Sequence, residues 1–205
     1  MDILELKSKI GSKYFDYQKL KNALKNQSNP RRFIGGLIRK GRLIRVKKGL
    51  YIWDRKVDPT PFSKEILANL IYGPSYVSLE YALSYYGLIP ERVESITSVT
   101  LKRNNQFITP VGRFEYKHLH KTVYSKGLKI EIIDDEQRFI MATKEKALLD
   151  TIALRFHQKD IKKNFINENL RIDPFEFKKL DILGLLELSK FYKASSVKAF
   201  ISLFL

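Results

Sequence analysis

The sequence predicts an α+β protein that begins with a winged helix-turn-helix and continues as a mixed α+β domain with a helical C-terminal end. Three observations predict this fold. They are the order of helical and strand-like segments in the first 53 residues, a concentration of positive charge there, and the stretch Asp58-Pro59-Thr60-Pro61 that follows. We therefore expect a first domain over residues 1–57, a linker over 58–63 and a second domain over 64–205.

The positive charge lies mainly in the first domain. Residues 1–56 contain 16 Lys and Arg against 4 Asp and Glu, a net charge of +12, whereas residues 57–205 carry the remaining +4. The basic segment is also rich in apolar residues, so we place the charge on a folded module and not on a disordered arm. This pattern indicates a module that binds a polyanion; the alternative is a solubilising basic surface.

The composition excludes several classes of protein. With no cysteine, the chain has no disulfides, Fe–S clusters or thiolate zinc sites. The N-terminus carries Asp2 and Glu5 and no long apolar run, which argues against a signal peptide. No segment approaches the ~18 apolar residues of a membrane span. We expect a cytoplasmic protein with no membrane partner.

Three helices and a hairpin are predicted in the first domain. Gly11 can end the first helix, Asp16 can cap the second, Pro30 can begin the third and Gly41 can end it. The expected helices span 3–10, 17 to about 25, and 30–40. Two strands over 43–47 and 50–53, joined through Lys48-Gly49, form the hairpin. This is the order of a winged helix-turn-helix.

The second domain mixes both kinds of element. Helices are expected from Ser63 and Ser78, each with a glutamate two positions on, and from Thr143, which can serve as a cap. The expected helices are 63–71, 78–86 and 143–156, and the expected strands are 96–101, 114–118, 128–133 and 138–142. Residues 160–205 are expected to form several shorter helices.

The third helix carries the most informative pattern. Its apolar face is Phe33, Ile34, Leu37 and Ile38. On the opposite side lie Arg32 and Arg39, with Gly35 and Gly36 between them. A glycine within a helix costs about 1 kcal/mol against alanine, so the pair needs an explanation. Two explanations stay open: a bare backbone that approaches DNA closely, or close packing against another helix.

The hairpin is unusually basic. Arg42, Arg45, Lys47 and Lys48 crowd ten residues that are otherwise mostly apolar, as expected for a wing on the DNA backbone or in the minor groove. A solvated hairpin without a ligand is the alternative. The hydroxyls of Tyr14 and Tyr17 are candidate hydrogen-bond donors to DNA phosphates. Equally, the two side chains are candidates to pack over the hydrophobic core. The full set of predicted DNA-binding residues is Tyr14, Tyr17, Asn29, Arg31, Arg32, Gly35, Gly36, Arg39, Lys40, Arg42, Arg45, Lys47 and Lys48.

Catalytic patterns are weak. The sequence has no phosphate-binding glycine loop and no nucleophile elbow. His118 and His120 have no obvious further metal ligand. The acidic residues around the third and fourth predicted strands, which could supply a nuclease metal site, read equally well as turn residues; they are Glu131, Asp134, Asp135 and Glu136. We expect no enzyme activity, no metal and no cofactor.

Several segments resemble the AbiEi-type antitoxins of abortive-infection, type IV toxin–antitoxin systems. They are YVSLEYALSYYGLIP (76–90), ITSVT (96–100), TPVGRFEY (109–116) and ATKEKALLD (142–150), with GRLIR (41–45) and KGLY (48–51) similar to that family's wing. The blocks occur in the family order and cover about residues 40–153. The last fifty residues match nothing in the family pattern.

This resemblance implies a two-domain protein. Its winged helix would repress its own promoter at inverted repeats, and its second domain would help to neutralise an AbiEii-type nucleotidyltransferase toxin, with or without direct contact. The antitoxin-domain candidates are Glu80, Tyr81, Tyr85, Glu145, Lys146 and Asp150. Glu145, Lys146 and Asp150 are expected to decorate the surface of the helix over 143–156. Glu145 and Asp150 are candidate surface contacts; equally, Glu145 simply favours a helix N-terminus electrostatically. Two other functions stay open: a winged-helix regulator unrelated to a toxin, and a DNA-acting enzyme with a winged-helix targeting domain.

Overall fold

The computed structural model describes residues 2–134 and 137–204 and has an α+β fold with two sheets in that part of the chain. One sheet has three strands and lies within residues 2–57, which are called the N-terminal half although they are the shorter part. The other sheet has six strands and lies within the described residues from 64 onward, which are called the C-terminal half. Each half is built around a hydrophobic cluster, called here the N-terminal core and the C-terminal core.

The N-terminal half follows the predicted order of elements. In chain order these are α1 (Ile3–Ile10), β1 (Tyr14–Asp16), α2 (Tyr17–Ala23), α3 (Pro30–Arg39), β2 (Leu43–Lys47) and β3 (Leu50–Trp53). Local capping sets the helix boundaries. The Asp16 carboxylate accepts the Lys19 N–H at 2.7 Å, and Gly11 ends α1 with a left-handed backbone (φ 57°). The predicted helices and hairpin are thus confirmed, while their assignment to the winged helix-turn-helix class stays a prediction.

The three-stranded sheet contains a strand that the sequence pattern did not predict. Strand β1 pairs antiparallel with β3, Tyr14 opposite Ile52, so the strand order is β1-β3-β2. With three residues, β1 is too short for an alternating pattern to be recognised. The pairing of β2 with β3 contains a bulge between Arg45 and Lys47. The bulge changes the direction of the side chains that follow it.

The C-terminal half is a six-stranded mixed sheet with helices around it. In chain order its elements are α4 (Lys64–Ile71), β4 (Ser75–Val77), α5 (Leu79–Tyr85), β5 (Ile96–Thr100), β6 (Asn105–Thr109), β7 (Gly112–His118), α6 (Lys121–Tyr124), β8 (Leu128–Ile132), β9 (Arg138–Ala142), α7 (Lys144–Arg155), a 3₁₀ turn (Gln158–Asp160), α8 (Phe165–Glu168), α9 (Pro174–Lys178), α10 (Ile182–Ser189) and α11 (Ser195–Ile201). The strand order is β6-β7-β5-β4-β9-β8.

Most predicted elements of this half are present. Helix α7 begins where Thr143 accepts the N–H of Lys146, and the C-terminal end consists of short helices, both as predicted. Strands β4 and β6 were not predicted: β4 has only three residues, all buried, and β6 is mostly exposed and polar. No helix within residues 2–134 and 137–204 is long and apolar enough to cross a membrane.

Strand β3 connects the two halves because both of its faces are buried. Tyr51 and Trp53 belong to the N-terminal core, whereas Leu50 and Ile52 belong to the C-terminal core. Burial of a large apolar side chain stabilises a fold by roughly 1.5–3 kcal/mol. The hairpin is therefore a shared structural element and not a freely projecting loop.

The segment predicted as a linker, residues 58–63, is attached to the N-terminal helices. The Lys7 ammonium lies 3.5 Å from the Asp58 carboxylate, and the Lys13 ammonium donates to the Pro61 carbonyl at 2.9 Å. The N–H of Ser63 donates to the Tyr14 hydroxyl at 2.6 Å. These contacts order the connection between the two halves.

Candidate nucleic-acid interface

The basic residues predicted on α3 lie on its outward side. Its buried residues, Ile34 and Leu37, pack into the N-terminal core. The exposed cations on α3 and just after it are Arg31, Arg32, Arg39 and Lys40. The apolar face thus fixes the helix on the fold and leaves a cationic face in solvent.

Gly35 and Gly36 leave a bare stretch of backbone between these arginines. Outside the helix's own backbone, a Cβ built on Gly36 would meet no atom within 4 Å, and one built on Gly35 would meet only the end of the Arg39 side chain, at 3.6 Å. No other element in the described part of the chain packs closely on this backbone. Close intramolecular packing is therefore the wrong explanation for the two glycines.

Three of the four predicted hairpin cations are exposed, and the fourth is not. The exposed ones are Arg42, Arg45 and Lys48. The Lys47 ammonium instead donates to the carbonyl of Ile71 at 2.5 Å. Burial, and to a lesser degree the charge of Lys102, lowers its pKa. Lys47 is thus corrected from a DNA contact to a contact between the halves, because the β2 bulge turns it inward.

Two other predicted DNA contacts are used inside the fold. The Tyr14 hydroxyl, which accepts from Ser63, donates to the side-chain oxygen of Gln137 at 3.0 Å, and burial raises the pKa of Tyr14 to about 12. The Asn29 side chain accepts the N–H of Arg32 at 3.1 Å and so caps α3. Asn29 therefore positions the basic helix α3, whereas Tyr14 connects β1 to Ser63 and Gln137.

Residues around the two ends of the hairpin complete this surface. At its tip, the N–H of Tyr17 donates to the carbonyl of Gly49 at 3.2 Å, and the Tyr17 ring is half-buried against the N-terminal core. After β3, Arg55 and Lys56 are exposed, and the Lys56 ammonium lies 3.8 Å from where a Cβ of Gly41 would stand. Arg55 and Lys56 were not predicted individually, although they contributed to the charge of residues 1–56.

The candidate pair Lys146 and Asp150 lies in the C-terminal core. Both side chains are 0% exposed, and the Lys146 ammonium lies 2.6 Å from the Asp150 carboxylate. The carboxylate also accepts from three hydroxyl groups: Tyr192 at 2.6 Å, Ser78 at 2.8 Å and Tyr76 at 2.9 Å. Burial lowers the pKa of Lys146, which the Asp150 charge opposes. Their interpretation as residues decorating a helix surface is wrong.

The remaining candidates in this half also have partners within the fold. Glu80 binds the Arg155 guanidinium through two hydrogen bonds, at 2.6 and 3.0 Å. The Tyr81 hydroxyl donates to a glutamate of α4, and the Glu145 carboxylate accepts the Asp181 N–H at 3.1 Å. Tyr85, at 49% exposure, is the most accessible of the six candidates.

The groups considered for metal binding do not converge. His118 contacts the Lys102 carbonyl and His120 contacts the Thr122 hydroxyl. Glu131 pairs with Lys129, while Asp135 and Glu136 lie outside the described residues. Within the described residues, no three His, Cys, Asp or Glu side chains are placed to hold one metal ion.

No protein-family model matches the sequence, and no curated protein matches it either.

Replacing Asp150 by asparagine is expected to destabilise the protein by about 3–5 kcal/mol, because the buried ammonium of Lys146 loses its counter-charge. Urea denaturation followed by circular dichroism measures the change. Glu187→Gln is the matched control, since it removes one partner of an ion pair that is mostly exposed. Equal unfolding midpoints for the two variants would contradict the structural role of the buried network.

Proposed function

We propose that the protein binds double-stranded DNA through an N-terminal winged helix-turn-helix, with α3 as the recognition helix. The observation that carries the proposal is the outward side of α3, where exposed arginines flank a backbone that the described chain leaves uncovered. A bare helix backbone can approach base edges or phosphates closely, and arginine pairs well with guanine or phosphate.

The dimensions of α3 support this assignment. Ten residues give a helix about 15 Å long, which fits within the major groove. Arg32 and Arg39 are seven residues and so about 10 Å apart along its axis, a spacing that lets both reach base pairs within one groove segment. The cap by Asn29 and the buried apolar face hold the helix in one orientation.

The surrounding cations support it further. Arg42, Arg45 and Lys48 on the hairpin, with Arg55 and Lys56 after it, are all exposed and add positive charge to the N-terminal half. Contacts of this kind to phosphates position a protein on DNA without reading its sequence. We assign base reading to α3 and phosphate binding to the hairpin cations.

Replacing Arg32 or Arg39 by alanine in the full chain is expected to weaken binding to a duplex from the upstream region of its own gene. A guanidinium that reads a guanine contributes about 1–3 kcal/mol to discrimination, so the loss is larger for the preferred duplex than for an unrelated one. Fluorescence anisotropy with both duplexes measures the two losses.

Arg92→Ala and Arg113→Ala are the matched controls. They remove the same charge from an exposed cleft of about 730 Å³ in the C-terminal half. Affinity that falls in these two variants and not in the α3 variants would contradict the proposed interface. Equal losses of DNA affinity in all four variants would show that the interaction is general charge attraction and not recognition by α3.

Gly36→Ala and Gly36→Leu are expected to stabilise the protein, by up to about 1 kcal/mol, because helix propensity improves and a Cβ at this position meets no atom within 4 Å outside the helix's own backbone. DNA affinity should fall in both, and further for leucine, because the side chain separates the helix from the groove. Thermal denaturation and anisotropy measure the two effects. Unchanged affinity in the more stable variants would show that this backbone does not approach DNA.

We further propose that the protein regulates its own promoter and acts as an antitoxin against a nucleotidyltransferase-type toxin. The resemblance of residues 76–90, 96–100, 109–116 and 142–150 to AbiEi-type antitoxins supports this proposal. These four segments lie in or around β4, α5, β5, β7 and α7 of the C-terminal half, whereas the basic residues of the proposed DNA interface belong to the N-terminal half. Repression and neutralisation would then use different halves of the chain.

A full-length Arg32→Ala/Arg39→Ala variant is expected to lose DNA binding and still rescue growth when a toxin gene adjacent to its own is expressed. The reason is that the variant leaves the C-terminal half unchanged. Growth is scored with both genes under foreign promoters, so that repression plays no part. Rescue by the wild type together with failure of this variant would contradict a separate neutralising half, and failure of both would contradict the antitoxin proposal.

A further inference from the structure

Strand β8 forms an edge of the six-stranded sheet and is unusually apolar on one face. Ile130 and Ile132 are 65% and 68% exposed, and Ile140, opposite Ile130 on β9, is 42% exposed. An edge strand with unpaired backbone groups is a ready template for another strand, and proteins commonly block it with proline, charge or a bulge. Strand β8 has no proline, and its pairing with β9 is regular.

The hydrogen bonds of β9 establish which backbone groups of β8 face outward. The N–H and C=O of Ile140 are both bonded to the Asn69 side chain, on the side away from β8. Ile130 and Ile140 are therefore a non-hydrogen-bonded pair, in which each residue directs its N–H and C=O away from the other. By the same alternation, the outward groups of β8 belong to Leu128, Ile130 and Ile132.

We infer that β8 pairs antiparallel with β8 of a second copy of this chain, about a two-fold axis at Ile130. In this register the outward backbone N–H and C=O groups of one copy face those of the other. Ile130 pairs with Ile130 of the second copy, and Leu128 pairs with Ile132 of the second copy. It also places Lys129 of one copy opposite Glu131 of the other, twice across the axis. Such self-complementarity is what a two-fold interface requires.

The neighbouring registers are unfavourable. Moving the axis to Lys129 places two lysines opposite each other, and moving it to Glu131 places two glutamates opposite each other. Like charges directly opposite one another destabilise a strand pair, whereas opposite charges stabilise it. The charges of β8 therefore favour one pairing register. They also favour β8 of a second copy as the strand that pairs with it. This inference uses no residue of the proposed DNA interface.

Single charge reversals test the pairing in the full chain. Besides ending the Lys129–Glu131 ion pair within the chain, Lys129→Glu and Glu131→Lys each create two like-charged pairs across the axis. Each is therefore expected to weaken the dimer about ten-fold or more. Each single variant still complements the other: an equimolar mixture restores both opposite-charge pairs and should restore dimers. The double variant Lys129→Glu/Glu131→Lys should dimerise by itself. Sedimentation equilibrium measures all of these against the 24.0 kDa chain mass.

Ile130→Lys is a second, independent variant, because its side chain is exposed and its own N–H does not bond to β9. It places two ammonium groups at the axis and is expected to be monomeric with an unchanged circular dichroism spectrum. A monomeric wild type, an unchanged dimer dissociation constant in Lys129→Glu, a dimer in Ile130→Lys, or a mixture of the two single variants that fails to associate would each overturn the inference.

Discussion

Strand β3 is the element on which the rest of the structure depends, since each of its faces completes a different core. Tyr51 and Trp53 close the core beneath α1, α2 and α3, while Leu50 and Ile52 extend the core of the six-stranded sheet. The Lys47 ammonium adds a hydrogen bond to the Ile71 carbonyl, and the Tyr14 hydroxyl contacts both Ser63 and Gln137. A change in the orientation of one half would therefore disturb packing in the other.

A second constraint lies inside the C-terminal half. The carboxylate of Asp150 has four partners, and they come from different segments of the chain: α7, the end of β4 and the turn before α11. A buried charge is tolerated only when it is paired and hydrogen-bonded, so these segments must meet in one arrangement. The side chains of this network are buried, so the network stabilises the fold and the accessible surface is formed by other residues.

Local chemistry in the sequence was enough to predict most helices and the hairpin, because caps such as Asp16 and Thr143 act within three residues of their position. Strands β1 and β4 escaped prediction, since three residues have no readable period and their pairing partners are far along the chain.

At the candidate site, the sequence identified the cations but not the directions of their side chains. Lys47 and Lys48 are equivalent in the sequence. The β2 bulge, which precedes both, directs the Lys47 side chain toward the C-terminal half and leaves Lys48 exposed. Lys146 and Asp150 have the i, i+4 spacing of an ordinary surface pair, so nothing local signalled their burial.

The most direct test of the account is a titration of the isotope-labelled full chain with a duplex from its own upstream region, followed by amide chemical shifts. The account predicts that the largest shifts occur at Gly35 and Gly36 and at their neighbours on α3, with smaller shifts at Arg42, Arg45 and Lys48. Shifts concentrated instead around Lys64, Arg92 and Arg113, the exposed cations of the cleft in the C-terminal half, would contradict it.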